Sequence, residues 1–144
     1  VLQLGISQIS GGSRTSVGGY VEPEPEEENS AQFDISDRRT LGEVVDWLME
    51  IGYIPSFCTA CYRQGRTGDR FMQFAKTGQI ANFCQANAIL TLKEYAEDYG
   101  TEKTKELAEA LIQNEVEKIP SDKVKSMTKD YLSKLEKNER DFRF

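Results

Sequence analysis

The sequence predicts a mainly α-helical chain with a single strand at its beginning, and three observations carry that prediction. Apolar residues recur at helical spacing through much of residues 37–144. Two Thr-x-x-Glu capping boxes and two well-placed glycines punctuate those runs. Residues 1–9 (VLQLGISQI), by contrast, are apolar and β-branched up to Gly11-Gly12, the pattern of one buried strand. The chain has 144 residues, about one small domain's worth.

Each element follows from its own residues. One strand is not stable alone, so the sheet completing residues 1–9 must lie in another chain or in a segment upstream. With Val1 rather than Met at its start and no basic residues ahead of a short apolar stretch, the sequence reads as a mature or cut fragment without a signal peptide. Residues 10–20 (SGGSRTSVGGY) form a Gly- and Ser-rich loop with a single cation, Arg14. Residues 22–30 (EPEPEEENS) hold five glutamates and two prolines and leave almost nothing to bury, as in a solvated linker. Thr40 to Glu43 is a capping box, with Leu41, Val44, Val45, Leu48 and Met49 behind it on one helical face and Gly52 at the C-cap. A second box, Thr91 to Glu94, predicts a helix through Tyr95 and Tyr99 that Gly100 ends. Thr101 starts a helix with the face Leu107, Leu111, Ile112 and Val116, which Pro120-Ser121 breaks. The last helix buries Val124, Met127, Tyr131, Leu132 and Leu135. The charged tail, residues 136–144, ends in Phe142 and Phe144, and its residues do not decide between docking and fraying.

Composition removes several chemistries. There is no histidine, hence no Ser-His-Asp triad, no Cys-His pair and no His-containing metal triad within this chain. A net charge of −6 disfavours a nucleic-acid surface, and no apolar run approaches the roughly 20 residues of a membrane span. What remains is the cysteine arrangement Cys58-x2-Cys61-x22-Cys84. A two-residue gap lets both sulfurs of the pair address one centre from a single turn. Unrelated buried thiols, a disulfide with one cysteine left over, and a redox pair are the alternatives; the last lacks a βαβ context. Structural zinc wants four closed ligands, whereas a 4Fe–4S cluster on three thiolates keeps one iron open. Between Cys58 and Cys84 lie Arg63, Arg66, Arg70 and Lys76 against Asp69, a net +3 in an acidic chain. Guanidiniums of this kind either donate hydrogen bonds to an anionic cluster or are solvated loop residues.

The stretch SFCTACYRQGRTGDRFM (residues 56–72), with NFCQANAILTLKEYAEDY (residues 82–99), resembles the C-terminal domain of the FeFe-hydrogenase maturases that lyse tyrosine. These are radical S-adenosylmethionine enzymes related to the thiazole-pathway 2-iminoacetate synthase. GISQISGGSRTSVGGY (residues 5–20) is similar to the last strand of their catalytic (β/α) barrel and the loop after it. The resemblance spans all but the acidic linker and the tail, and its specific part is C-x2-C-x22-C.

What the resemblance implies is a chain of three parts. Residues 1–20 would be the last strand and loop of an otherwise missing barrel, residues 21–36 a linker, and residues 37–144 a helical auxiliary-cluster domain. Cys58, Cys61 and Cys84 would hold an auxiliary 4Fe–4S cluster with a further labile iron, ringed by Arg63, Arg66 and Arg70. The missing barrel would carry S-adenosylmethionine and a second 4Fe–4S cluster. There tyrosine is split into p-cresol and dehydroglycine, and the latter becomes carbon monoxide and cyanide for the hydrogenase site. Ser13, Arg14 and Thr15 would bind a carboxylate, of L-tyrosine or of S-adenosylmethionine, unless the loop merely crosses the barrel mouth. The implied partners are the barrel portion and other hydrogenase maturation proteins, in the cytoplasm, with neither nucleic acid nor membrane. The CxxxCxxC motif of the first cluster is absent here, so this chain alone is not expected to be active. The alternative is a small helical module, stabilised by zinc or a simple cluster, that docks a protein partner without chemistry of its own.

Overall fold

A computed structural model describes residues 2–5, 9–14, 20–21 and 37–144. Among them are six α-helices, one 3-10 turn and no strand. Two compact units divide the chain, Val1–Trp47 and Leu48–Phe144, with the division inside the first helix.

In the first unit, Leu2–Leu4 form a 3-10 turn closed by the Gly5 N–H on the Leu2 carbonyl at 3.0 Å. The expected strand of residues 1–9 does not form over these residues. Without a neighbouring strand among the described residues to accept a ladder, the backbone satisfies itself locally and leaves Leu4 86% exposed. Val1, residues 6–8 and the linker residues 22–36 lie outside the described residues. Further on, Gly12 adopts φ +68°, and a Cβ there would meet the Leu41 nitrogen at 2.8 Å, so only glycine fits beside the start of α1 (Leu41–Glu50). The capping box is present as expected: the Thr40 N–H donates to the Glu43 carboxylate at 2.7 Å, and the Glu43 N–H donates to Thr40 Oγ1 at 3.3 Å. The Thr40 N–H bond, and after it the Thr40 hydroxyl donating to the same carboxylate at 2.8 Å, hold the Glu43 carboxyl below its ordinary pKa.

The second unit begins with the end of α1. Gly52, at φ +83°, donates to Met49 at 3.0 Å, and Tyr53 donates to Leu48 at 2.9 Å, a Schellman turn at the expected glycine. Five helices follow: α2 (Ala60–Arg63), α3 (Gly68–Lys76), α4 (Ala81–Tyr99), α5 (Glu102–Glu117) and α6 (Asp122–Leu135). Helix α4 is the axis, packing on both α5 and α6, which also touch each other. Its buried residues, Ala86, Asn87, Ile89, Leu90, Leu92 and Ala96, spread round the helix rather than along one stripe, as a helix covered from several sides requires. Ala108, Leu111, Ile112 and Val116 of α5 and Leu135 of α6 complete this core. The expected faces of α5 and α6 thus point inward, but Met127 is 36% exposed.

The second capping box is corrected by the structure. Thr91 lies in the middle of α4 and opens nothing: its hydroxyl donates back to the carbonyls of Asn87 at 3.0 Å and Ala88 at 3.1 Å. A Thr with a helical turn behind it has acceptors within reach and no unpaired N–H groups to cap. Helix α4 therefore starts ten residues earlier, at Ala81. The caps of α5 and α6 are genuine, with Thr101 accepting from Thr104 N–H at 3.2 Å and Ser121 from Val124 N–H at 3.4 Å. No helix among the described residues is long and apolar enough to cross a membrane.

Candidate functional site

The short helix α2, the residues just before it and the first turn of α4 carry the cysteines. Cys58 precedes α2, Cys61 lies on it, and Cys84 is on the opening turn of α4. The Ala60 N–H donates to the Cys58 sulfur at 3.4 Å, so a backbone donor at the start of α2 is turned toward that sulfur. All three thiols are free. Cys58 and Cys61 are half-buried, and Cys84 is exposed at the rim.

Electrostatics ties the three together. Partial burial, then the neighbouring Cys61 and Cys58, push the Cys84 thiol above its ordinary pKa, while the Arg66 guanidinium pulls the other way. The two distant stretches of the Cys-x2-Cys-x22-Cys pattern thus lie within one electrostatic neighbourhood. Three thiolates placed there repel one another unless a cation lies between them.

Arg66 belongs to the same place. Its N–H donates to the Cys61 carbonyl at 2.8 Å, and its guanidinium lies 5.0 Å from the centre of the Phe83 ring, next to Cys84. One guanidinium nitrogen donates to the backbone oxygen of Phe144 at 2.6 Å. Its Nε is buried and has no hydrogen-bond partner. Arg63 pairs with Asp141, and Arg70 is exposed on α3. Of the three arginines expected around the site, Arg66 is the one with a buried donor to spare.

The tail was undecided in the sequence and is docked in the structure. Phe142 stacks on Tyr131 at 4.7 Å between ring centres, and Arg140 grips Asp98 at 2.7 Å. Phe144 exchanges two hydrogen bonds with the buried Asn87, its N–H to Oδ1 at 2.9 Å and its oxygen from Nδ2 at 3.3 Å. Sequence reasoning had no way to single out Asn87. The aromatic residues ending a charged tail were the only signal of docking.

Among the described residues, no three His, Cys, Asp or Glu side chains close around one ion. Thiolates at 2.3 Å from a single zinc lie within about 4 Å of each other, whereas thiolates on separate irons of a cluster stand farther apart. Three free thiols, with the charge of Arg66 acting on Cys84, are the donors this region offers to an anionic cluster.

In the first unit, Arg14 is well engaged. Its guanidinium donates to the backbone oxygens of Ser13 at 3.3 Å and Arg38 at 3.0 Å, and its N–H donates to the Tyr20 hydroxyl at 3.1 Å. Thr15, the third residue of the expected carboxylate-binding loop, lies outside the described residues.

No protein-family profile and no curated protein matches the chain. Among solved structures there is a strong likeness, with a TM-score of 0.86 and 55% identity over 96% of this chain. Fold and sequence together make the chain a relative of the FeFe-hydrogenase maturases, in keeping with the C-terminal portion that the cysteine motif indicated. The solved protein is HydG, a maturase of the FeFe-hydrogenase, and the chain spans 29% of that solved chain.

Proposed function

We propose that the chain is the auxiliary-cluster portion of a radical S-adenosylmethionine maturase, one that lyses tyrosine and supplies carbon monoxide and cyanide for the FeFe-hydrogenase active site. The 55% identity to a maturase across nearly the whole chain carries this reading. The arrangement of the thiols supports it. Overall the reaction balances as tyrosine split into p-cresol and dehydroglycine, then dehydroglycine into carbon monoxide, hydrogen cyanide and water.

On this reading Cys58, Cys61 and Cys84 hold a 4Fe–4S cluster, with a labile iron beside it. When bound, the cluster supplies electron transfer and one iron free of protein thiolate. The chain's own residues prepare the place. Each thiol gives up its proton on ligation, and the charge of Arg66 offsets the repulsion among the sulfurs. Arg63 and Arg70 add positive charge to the same segment. Ser13, Arg14 and Thr15 position a carboxylate at the substrate end of the barrel. S-adenosylmethionine and the second cluster belong to the rest of the enzyme, which is the first partner of this portion. The other hydrogenase maturation proteins are its further partners, in the cytoplasm.

Anaerobic reconstitution with iron and sulfide tests the reading. A brown protein with about four irons per chain is expected, and in the intact enzyme Cys84→Ala abolishes carbon monoxide and cyanide while p-cresol release persists. A colourless protein whose three thiols all remain open to alkylation would falsify it.

A further inference from the structure

We infer that residues 140–144 form a strap that holds the Arg66 guanidinium in place, so that its Nε–H serves as a hydrogen-bond donor to the cysteine centre, with Asn87 as the anchor of the strap. The inference rests on the cluster reading above for the nature of that centre. The strap and its anchor do not depend on it.

The chain is turned back toward α4 by local geometry. Asn138, at φ +69°, donates to Leu135 at 3.0 Å, and Glu139 donates to Lys134 at 3.1 Å, a Schellman turn ending α6 with Asn in the glycine position. From there the contacts climb α4 toward the cysteines, first by one turn and then by two. Arg140 meets Asp98, the Asp141 N–H donates to Glu94 at 2.7 Å, and Phe144 meets Asn87. Asn87 lies one turn beyond Cys84 on the same helix.

The strap ends on a shared acceptor. The backbone oxygen of Phe144 receives both Asn87 Nδ2–H and an Arg66 guanidinium N–H. An amide of α4 and a cation of the cysteine segment are therefore fixed to one atom. Asn87 is only 3% exposed, and a buried Asn is costly unless its amide is satisfied on both sides, which Phe144 does. Arg66 has its backbone bonded to Cys61 and its guanidinium set against Phe83. One nitrogen is spent on Phe144, and Nε stays buried without a partner. An unspent donor costs free energy unless something accepts from it, and the guanidinium that carries it lies against Phe83, the neighbour of Cys84 in the chain, close enough for its charge to act on that thiol. Asp141, paired with Arg63, fixes a second point of the cysteine segment to the same strap.

A cation donating to an anionic cluster favours the reduced state, which carries one more negative charge. Arg66→Gln and Asn87→Leu are therefore both expected to shift the oxidised-to-reduced ratio about tenfold toward oxidised at a given potential, a midpoint lower by about 59 mV for one electron. Iron content should stay unchanged. Arg66→Lys keeps the charge without the Nε fork and should recover only part of the shift. In the metal-free chain, Asn87→Leu should speed amide exchange of residues 62–66 about tenfold, a readout independent of any cluster. Should Asn87→Leu fail to fold, Phe142→Ala removes the stacking on Tyr131 from outside the core and should show the same faster exchange. Wild-type midpoints in both variants with full iron content would overturn the inference while leaving the proposed function standing. A wild-type chain that takes up no cluster would overturn the proposed function and the donor role of Arg66 with it. The strap would then stand or fall on the exchange of residues 62–66 alone.

Discussion

The pair α5–α6 and the pair α2–α3 are built by different rules. Helices α5 and α6 each begin at a side-chain cap and bury residues against α4. Helices α2 and α3 have no side-chain cap bonds, α2 buries only Ala60, and α3 buries nothing. The first pair is held by the hydrophobic core, which any sequence of the right pattern and volume can supply. The second, with the residues before and between its helices, is held at a few points by directed bonds, Arg63 to Asp141 and Arg66 to Phe144, and that segment holds two of the three thiols. Thiol exposure does not follow that divide: Cys58 and Cys61, in the segment held by polar contacts, are half-buried, whereas Cys84, on the first turn of the core helix α4, is exposed.

The sharpest way to break this contrast is to cut into the core. Leu90 is fully buried in α4, and Leu90→Ala should cost about 2–5 kcal/mol, seen as a large fall in the thermal midpoint. Thr101→Ala comes next. It removes the acceptor for the Thr104 N–H at the start of α5 and should cost about 1 kcal/mol. A loss as large as that of Leu90→Ala would mean that the cap also holds the buried Thr104 in place, through the bond between the two hydroxyls at 2.9 Å.

A smaller effect sharpens the second half of the contrast. Side-chain bonds from Arg140 hold the Asp98 carboxyl below its ordinary pKa. A carboxyl lowered in the folded state stabilises above its unfolded pKa, and that stabilisation fades as pH falls through the folded value. The strap should therefore be fully latched at neutral pH and loosen below about pH 4. The pair is exposed, so the effect on global stability stays within about 1 kcal/mol. Resonances of Phe142 and Tyr131 should shift in acid before the helices melt, and Arg140→Gln should remove that early step.

How much of this was legible depends on what holds each element. Capping at Thr40 and Thr101, the turn at Gly52 and the faces of α5 and α6 are local or periodic, and they read directly from the residues. Helix α4 was half hidden. Its first ten residues (ANFCQANAIL) show no single apolar stripe, as suits a helix covered on several sides, and Thr91 imitates a cap that the helix interior has no use for. The strand reading of residues 1–9 failed over Leu2–Leu4 for want of a partner strand, a fact about neighbours rather than about those residues. The cysteine spacing pointed to a family, and the comparison with HydG supports that family. Asn87 and the strap were not legible, since a lone buried Asn and a five-residue segment of charged and aromatic residues carry no period.

The smallest effect tests the contrast where it is most exposed. Phe71 sits on α3 with 36% of its surface in water, and Met72 beside it with 45%. Large apolar side chains on an amphipathic helix ordinarily define the face that stabilises it, so their exposure means that α3 gains little from them within this chain. Phe71→Ser should accordingly move the thermal midpoint by no more than about 0.5 kcal/mol allows. Phe74, half-buried and edge-on to Phe83 at 6.4 Å, should cost more when cut to Ala, because that ring also backs the guanidinium of Arg66. If Phe71→Ser instead cost as much as Thr101→Ala, α3 would belong to the core of α4, α5 and α6. The cysteine segment would then be held by burial, and the division drawn between the two helix pairs would be wrong.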